Sequence, residues 1–183
     1  MKFNWGIILA ITALLGGVAA FAFSHRQIPS TPSAYSPQGE SPPPVSPATS
    51  QMPGTRVYRS QALRFEVSYP EDLTVKEYKE TNTTTIVFED PTGEKGFQVF
   101  AVPYGESLVS SERFKMDVPS GVRKDPISVI IDGITATAFF SANTLFGDMR
   151  EVWFIKNGFL YEVTTYKELD TWLAGIMQTW RFI

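Results

Sequence analysis

With 183 residues the chain has room for one folded unit and an appendage, and its 16 basic against 19 acidic side chains leave a net charge of −3. That balance supplies no positive field to hold a phosphate backbone, so no nucleic-acid partner is expected. The absence of cysteine excludes disulfides, thiolate zinc sites, a cysteine nucleophile and a lipidated cysteine.

The chain opens on nineteen uncharged residues, Trp5 to Phe23, which as a helix would run about 28 Å. A bilayer's hydrocarbon core is roughly 30 Å thick. Residues 1–26 therefore read as a transmembrane anchor that makes the membrane itself a partner. Lys2 and the amino terminus precede the apolar run, while His25 and Arg26 follow it. With the leading position favoured, the amino terminus is cytoplasmic and the rest lies outside a plasma membrane crossed once. The alternative is secretion after signal cleavage, because Ala20-Phe21-Ala22 has small-x-small spacing. The apolar run exceeds the usual core of roughly 7 to 15 residues, which favours retention.

Residues 27–54 hold eight of the thirteen prolines, interleaved with serines, and a single charge, Glu40. Such a stretch buries too little apolar surface to offset the entropy of ordering it, so it reads as a disordered linker. It could reach about 87 Å if fully extended and about 30 Å as flexible coil.

Residues 55–183 carry the folded domain. Leu63, Phe65, Val67 and Tyr69 alternate with polar residues up to Pro70, as a strand with one wet face requires. Leu73 to Tyr78, Thr83 to Phe88 and Phe97 to Tyr104 read as further strands around the turn-rich stretch Asp90 to Gly96. A short helix is expected from Ser111 to Asp117, stopped by Pro119. Asp132-Gly133 should close a hairpin that sets Val129 opposite Ala136 and Ile131 opposite Ile134. Asn157-Gly158 should close another, pairing Phe154 with Tyr161 and Ile155 with Leu160.

Thr165 and Glu168 have the spacing of a capping box. Leu169, Trp172, Leu173, Ile176 and Met177 follow at helical period, giving a stripe to lay on the sheet. Gly175 inside that helix suggests close approach to a strand. Trp180 to Ile183 alternates as a closing strand. The fold class this implies is α+β, an antiparallel sheet with a C-terminal helix packed on it, preceded by the transmembrane helix and the linker.

Three stretches, Tyr58-Arg-Ser-Gln-Ala-Leu-Arg-Phe-Glu-Val-Ser-Tyr-Pro70, Ile131-Asp-Gly133 and Asn157-Gly-Phe-Leu-Tyr-Glu-Val163, together with this order of elements, resemble the PsbP-like domains of prokaryotic exported proteins. The resemblance covers about residues 57 to 183. It implies an extracytoplasmic accessory module, the best-known member of the family being an extrinsic subunit that supports oxygen evolution on a photosynthetic membrane. These stretches are fold signatures, and no functional residue is carried over from them.

The one histidine, His25, lies beside the apolar run, so no serine–histidine–acid arrangement can form within the domain. Gly-x-Ser-x-Gly and Ser-x-x-Lys are absent. Glu89, Asp90 and Glu94 share a turn but lack the spaced acidic loop of a calcium site. Asp148, Glu151 and Glu162 could serve a glycosidase, which needs two carboxyl groups across a cleft, with Trp153 to stack on sugar. The strand and helix patterns instead send Trp153, Trp172 and Trp180 into the core.

In Ser141 to Asp148, Leu145 and Phe146 stand between polar turn residues, where an apolar tip would dock a partner. Leu145, Phe146 and Trp153 are therefore the candidate partner contacts, with no catalytic, cofactor-binding or metal-ligating residue and no cofactor expected. The resulting expectation is a membrane-tethered, noncatalytic accessory or binding module with an envelope protein as partner. The alternatives are a structural or assembly factor of an envelope complex and, less well supported, a carboxylate-dependent glycosidase.

Overall fold

A computed structural model describes residues 54–183 apart from Pro119 and Leu145. The expected anchor (1–26) and all but the last residue of the linker (27–54) lie outside the described residues. Among the described residues, no helix is long and apolar enough to cross a membrane.

The α+β expectation does not hold, because strands dominate and the two α-helices are short. In chain order the elements are β1 (Thr55–Ser60), β2 (Phe65–Pro70), β3 (Thr74–Lys79), β4 (Thr84–Glu89), β5 (Gly96–Pro103), α1 (Ser111–Asp117), β6 (Lys124–Ile131), β7 (Ile134–Asn143), β8 (Gly147–Lys156), β9 (Phe159–Tyr166), α2 (Asp170–Met177) and β10 (Arg181–Phe182). Nor is there one sheet. A seven-stranded antiparallel sheet runs β3-β4-β5-β9-β8-β7-β6, and a separate three-stranded sheet runs β1-β2-β10.

The split follows from where apolar side chains are needed. Strand β2 alternates buried and half-buried residues, with Phe65 and Val67 fully enclosed. These reach the same core as Phe88 and Phe97 of β4 and β5, Phe154 and Tyr161 of β8 and β9, and Leu173, Ile176 and Met177 of α2. The small sheet and α2 together therefore cover one face of the large sheet, a task that an eight-residue helix cannot perform alone.

Both tight hairpins form with the expected register: Val129 opposite Ala136, Ile131 opposite Ile134, Phe154 opposite Tyr161 and Ile155 opposite Leu160. Asp132 and Asn157 take positive φ (44° and 54°), and so do the glycines after them, as a type I′ turn requires. The capping box does not form. Thr165 stays in β9 and its hydroxyl donates to Gly96 O at 2.6 Å, while a single 3₁₀ turn, Lys167–Leu169, leads into α2 without a side-chain cap. Nor does Gly175 permit a close approach, since a Cβ there would meet nothing within 4 Å.

Candidate functional site

Two features of the large sheet could carry function, one on each face. The first lies at its β6 edge. Because Ile131 and Ile134 flank a two-residue turn, the hydrogen-bonded pairs of the β6–β7 ladder fall at Ile131, Val129 and Ile127. The backbone groups of Ser128 and Ile130 therefore point away from the sheet. A bulge between Lys124 and Ile127, with Asp125 at φ 47°, interrupts the other half of this edge.

Beside the open half, β6 and α2 enclose a cavity of about 230 Å³ whose walls include Ile127, Val129, Ile131, Leu173 and Met177. Ile127 is 50% exposed and Ile130 67%, although most aliphatic side chains of the domain are buried. Arg150, Asp170 and Gln178 contribute the polar part of the lining. Arg150 binds Asp170 through two bonds, Nε to Oδ1 at 2.5 Å and Nη2 to Oδ2 at 2.9 Å. Its guanidinium also stacks 4.0 Å from the Phe140 ring. The two charges offset one another while Arg150 Nη1 stays buried without a hydrogen-bond partner, and the aliphatic walls suit an apolar group.

The second feature is a buried polar network on the opposite face, beneath α1. Ser110 caps α1 by accepting from Arg113 N at 3.0 Å, and Phe114 packs against Phe139 and Trp153 at ring distances of 5.7 and 5.6 Å. Below it, Glu151 accepts from Ser141 Oγ at 2.8 Å, Thr164 Oγ1 at 2.7 Å and Trp153 Nε1 at 3.2 Å. Arg113 grips Asp117 with Nε and, at 2.8 Å, with Nη2, and stands 3.6 Å from Glu162.

Burial pushes the Glu151 carboxyl above its ordinary range, against the three hydrogen bonds that favour its charged form. Burial also raises Glu162 well above that range, and the neighbouring Asp117 raises it further against the pull of Arg113.

Among solved structures, the chain is similar to cyanobacterial PsbP (CyanoP) from Synechocystis sp. PCC 6803, with a TM-score of 0.52 and 13% identity over 75% of this chain and 98% of that one. The fold is PsbP-like. No family model matches the chain, and no curated protein does.

Within this PsbP-like frame the residues singled out in the sequence fall apart. Leu145 lies outside the described residues. Phe146 is half-buried and packs with Val87 and Tyr166. Trp153 is 4% exposed and belongs to the packing under α1, so it presents no free face to a partner. Glu151 and Glu162 do come together, yet at 7% and 5% exposure they sit inside the network and not across a cleft. Asp148 is elsewhere, paired with Lys167 at 3.2 Å on the surface.

In the turn, Asp90 accepts from Thr92 Oγ1 at 2.8 Å and Glu94 N at 3.0 Å, while Glu89 pairs with Lys76. Trp180 is fully buried, and Trp172 is partly buried against the same core.

Sequence reasoning missed the β6–α2 cavity. Its trace was there: Ile127, Val129, Ile130 and Ile131 put aliphatic residues on both faces of one strand, more than a single covered face needs.

Proposed function

We propose that this chain is a membrane-tethered, extracytoplasmic accessory module without catalytic chemistry of its own, which engages an envelope protein at the β6 edge. The observation that carries this reading is the pairing of an open strand edge with an apolar cavity beside it, while Glu151 is spent on internal bonds and Glu162 is enclosed beneath α1. The occupant we assign is an extended segment of the partner. Such a segment adds as a strand along Ser128 to Ile130 and places one apolar side chain between Ile127 and Met177, the mode in which backbone bonds give affinity and a pocket gives selectivity.

The PsbP-like fold supports an accessory role, and the apolar run Trp5 to Phe23 supports the tether. An outside location follows from the order of charges around that run. Protease treatment of intact cells checks the placement: residues 55–183 are expected to be digested without lysis, and protection until lysis would reverse it.

A photo-crosslinking residue at position 130 checks the surface. It is expected to trap one protein in cells, and the trap is expected to disappear on Ile127→Asp in a chain that still folds. Equal capture from position 115, on the opposite face, would count against the β6 edge.

A further inference from the structure

Helix α1 is seven residues long and buries none of them completely, yet it covers the most highly charged interior of the domain. Three carboxyl groups meet beneath it: Asp117 on α1, Glu151 on β8 and Glu162 on β9. Among the described residues their ion pairs are all with Arg113. Arg123, after the helix, lies over the Phe114 and Phe139 rings at 5.7 and 5.2 Å and makes no ion pair with them. Glu112 and Lys115 face solvent, and Ser141 of β7 and Thr164 of β9 add hydroxyls without charge.

The three acids are not equivalent. Glu151 has donors for both oxygens, including the Trp153 indole, which can only donate, and is satisfied as an anion. Arg113 is committed to Asp117 through two of its nitrogens. Glu162 has only the looser ion pair with Arg113. Its Oε1 is buried with no hydrogen-bond partner, and the guanidinium at 3.6 Å is beyond bonding range. One cation therefore faces three acids in a space largely closed to water, where an uncompensated carboxylate is strongly disfavoured. Burial first, and then the charge of the neighbouring Asp117, keep a proton on Glu162 in the closed form.

We infer that this crowding of three carboxyl groups around one guanidinium makes α1 a pH-operated cover. While the proton is present, Glu162 donates to Asp117 and the helix is latched to β9. Once it leaves, two like charges face each other, and the C-terminal end of α1 lifts from the sheet. The N-terminal end stays attached, because Ser110 N donates to the Tyr104 hydroxyl at 3.0 Å and the Ser110 side chain caps the helix. Lifting withdraws Val118, the buried C-cap of α1, and uncovers Phe139 and Trp153, an aromatic surface that the closed form hides.

The sign follows from Glu162 titrating higher in the closed form than in an open one. The latch is complete below the ordinary glutamate value of about 4.3 and is lost as pH rises through the raised value. Between the two values, each pH unit increases the open fraction about tenfold.

The test is amide hydrogen exchange on the full chain across pH 5 to 8, corrected for the intrinsic rate. Amides of residues 113–118 are expected to lose protection as pH rises, by up to about tenfold per unit and levelling off above the raised value, while those of β8 and β9 stay constant. Glu162→Gln keeps a donor for Asp117 at every pH and is expected to hold α1 closed with a flat profile. A flat profile in the natural chain, or an unchanged slope in E162Q, overturns the inference. The carboxyl titration of Glu162 followed by carbon NMR in the natural chain gives a reading that needs no variant: a proton still bound at pH 6 supports the latch, and full ionisation by pH 5 defeats it.

Discussion

Phe65 lies flat against Trp180, with the rings 4.1 Å apart and 11° from parallel. Both side chains are fully buried, and Trp180 also meets Phe154 and Tyr161 edge-on at 5.3 and 6.0 Å. One indole thus joins the small sheet to β8 and β9 of the large one. Trp180→Ala is expected to cost about 4 kcal/mol of folding stability through the cavity it opens. A fall in the urea midpoint at unchanged slope would register that loss.

Two glycines should respond in opposite senses to alanine. At Gly96 a Cβ would stand 2.3 Å from Phe88 O, inside the β4–β5 ladder, so Gly96→Ala is expected to destabilise by about 2 kcal/mol or more. At Gly175 a Cβ meets nothing, and Gly175→Ala is expected to stabilise by roughly 0.5 to 1 kcal/mol through helix propensity. Thermal melts of the two variants should bracket the natural chain.

Arg150 is almost wholly buried, while Asp170 keeps 37% of its side chain in contact with solvent. Removing the acid strands a buried guanidinium. Asp170→Asn is therefore expected to cost about 2 kcal/mol, less than the loss for a fully buried pair because water screens part of it. Replacing both residues together, as Arg150→Met with Asp170→Leu, should recover most of that loss in denaturant titrations.

Glu151 holds the polar network together by accepting three bonds. Glu151→Ala leaves Ser141, Thr164 and the Trp153 indole without their acceptor, at about 1 to 3 kcal/mol for a group left unsatisfied. Glu151→Gln keeps one accepting oxygen and is expected to lose less. Because burial raises this carboxyl, its contribution is present below the ordinary glutamate range and declines as pH rises through the raised value. Denaturation at about pH 5 and about pH 8 should show a smaller penalty for E151Q at the higher pH.

Turn chemistry was the most legible part of the fold. Asp132-Gly133 and Asn157-Gly158 fix register because few residues accept two successive positive φ angles, and four strands followed from them. The Ser111–Asp117 helix was readable from the proline that follows it, since Pro119 cannot continue a helix.

The second sheet was not readable. Strand β10 has only two residues, and its partner β2 lies more than a hundred positions away, so local pattern held no trace of the pairing. Thr165 misled for a related reason: its hydroxyl finds Gly96 O, 69 residues distant, before it can cap anything nearby. The site failed similarly. Glu151 and Glu162 could be named from sequence, but only the β8–β9 register and the placement of α1 reveal that they are enclosed.

Thr179 and Ser68, 111 positions apart, hold each other through side chain and backbone. Long-range closures of this kind are slow, since chain entropy must be lost before any contact rewards it. The junction between the sheets is thus the last part of the molecule to set, and until it does, the inner surface of β2 stays available to whatever hydrophobic company the nascent chain meets. A chaperone acting on this protein would have its window there, between completion of the hairpins and arrival of Trp180.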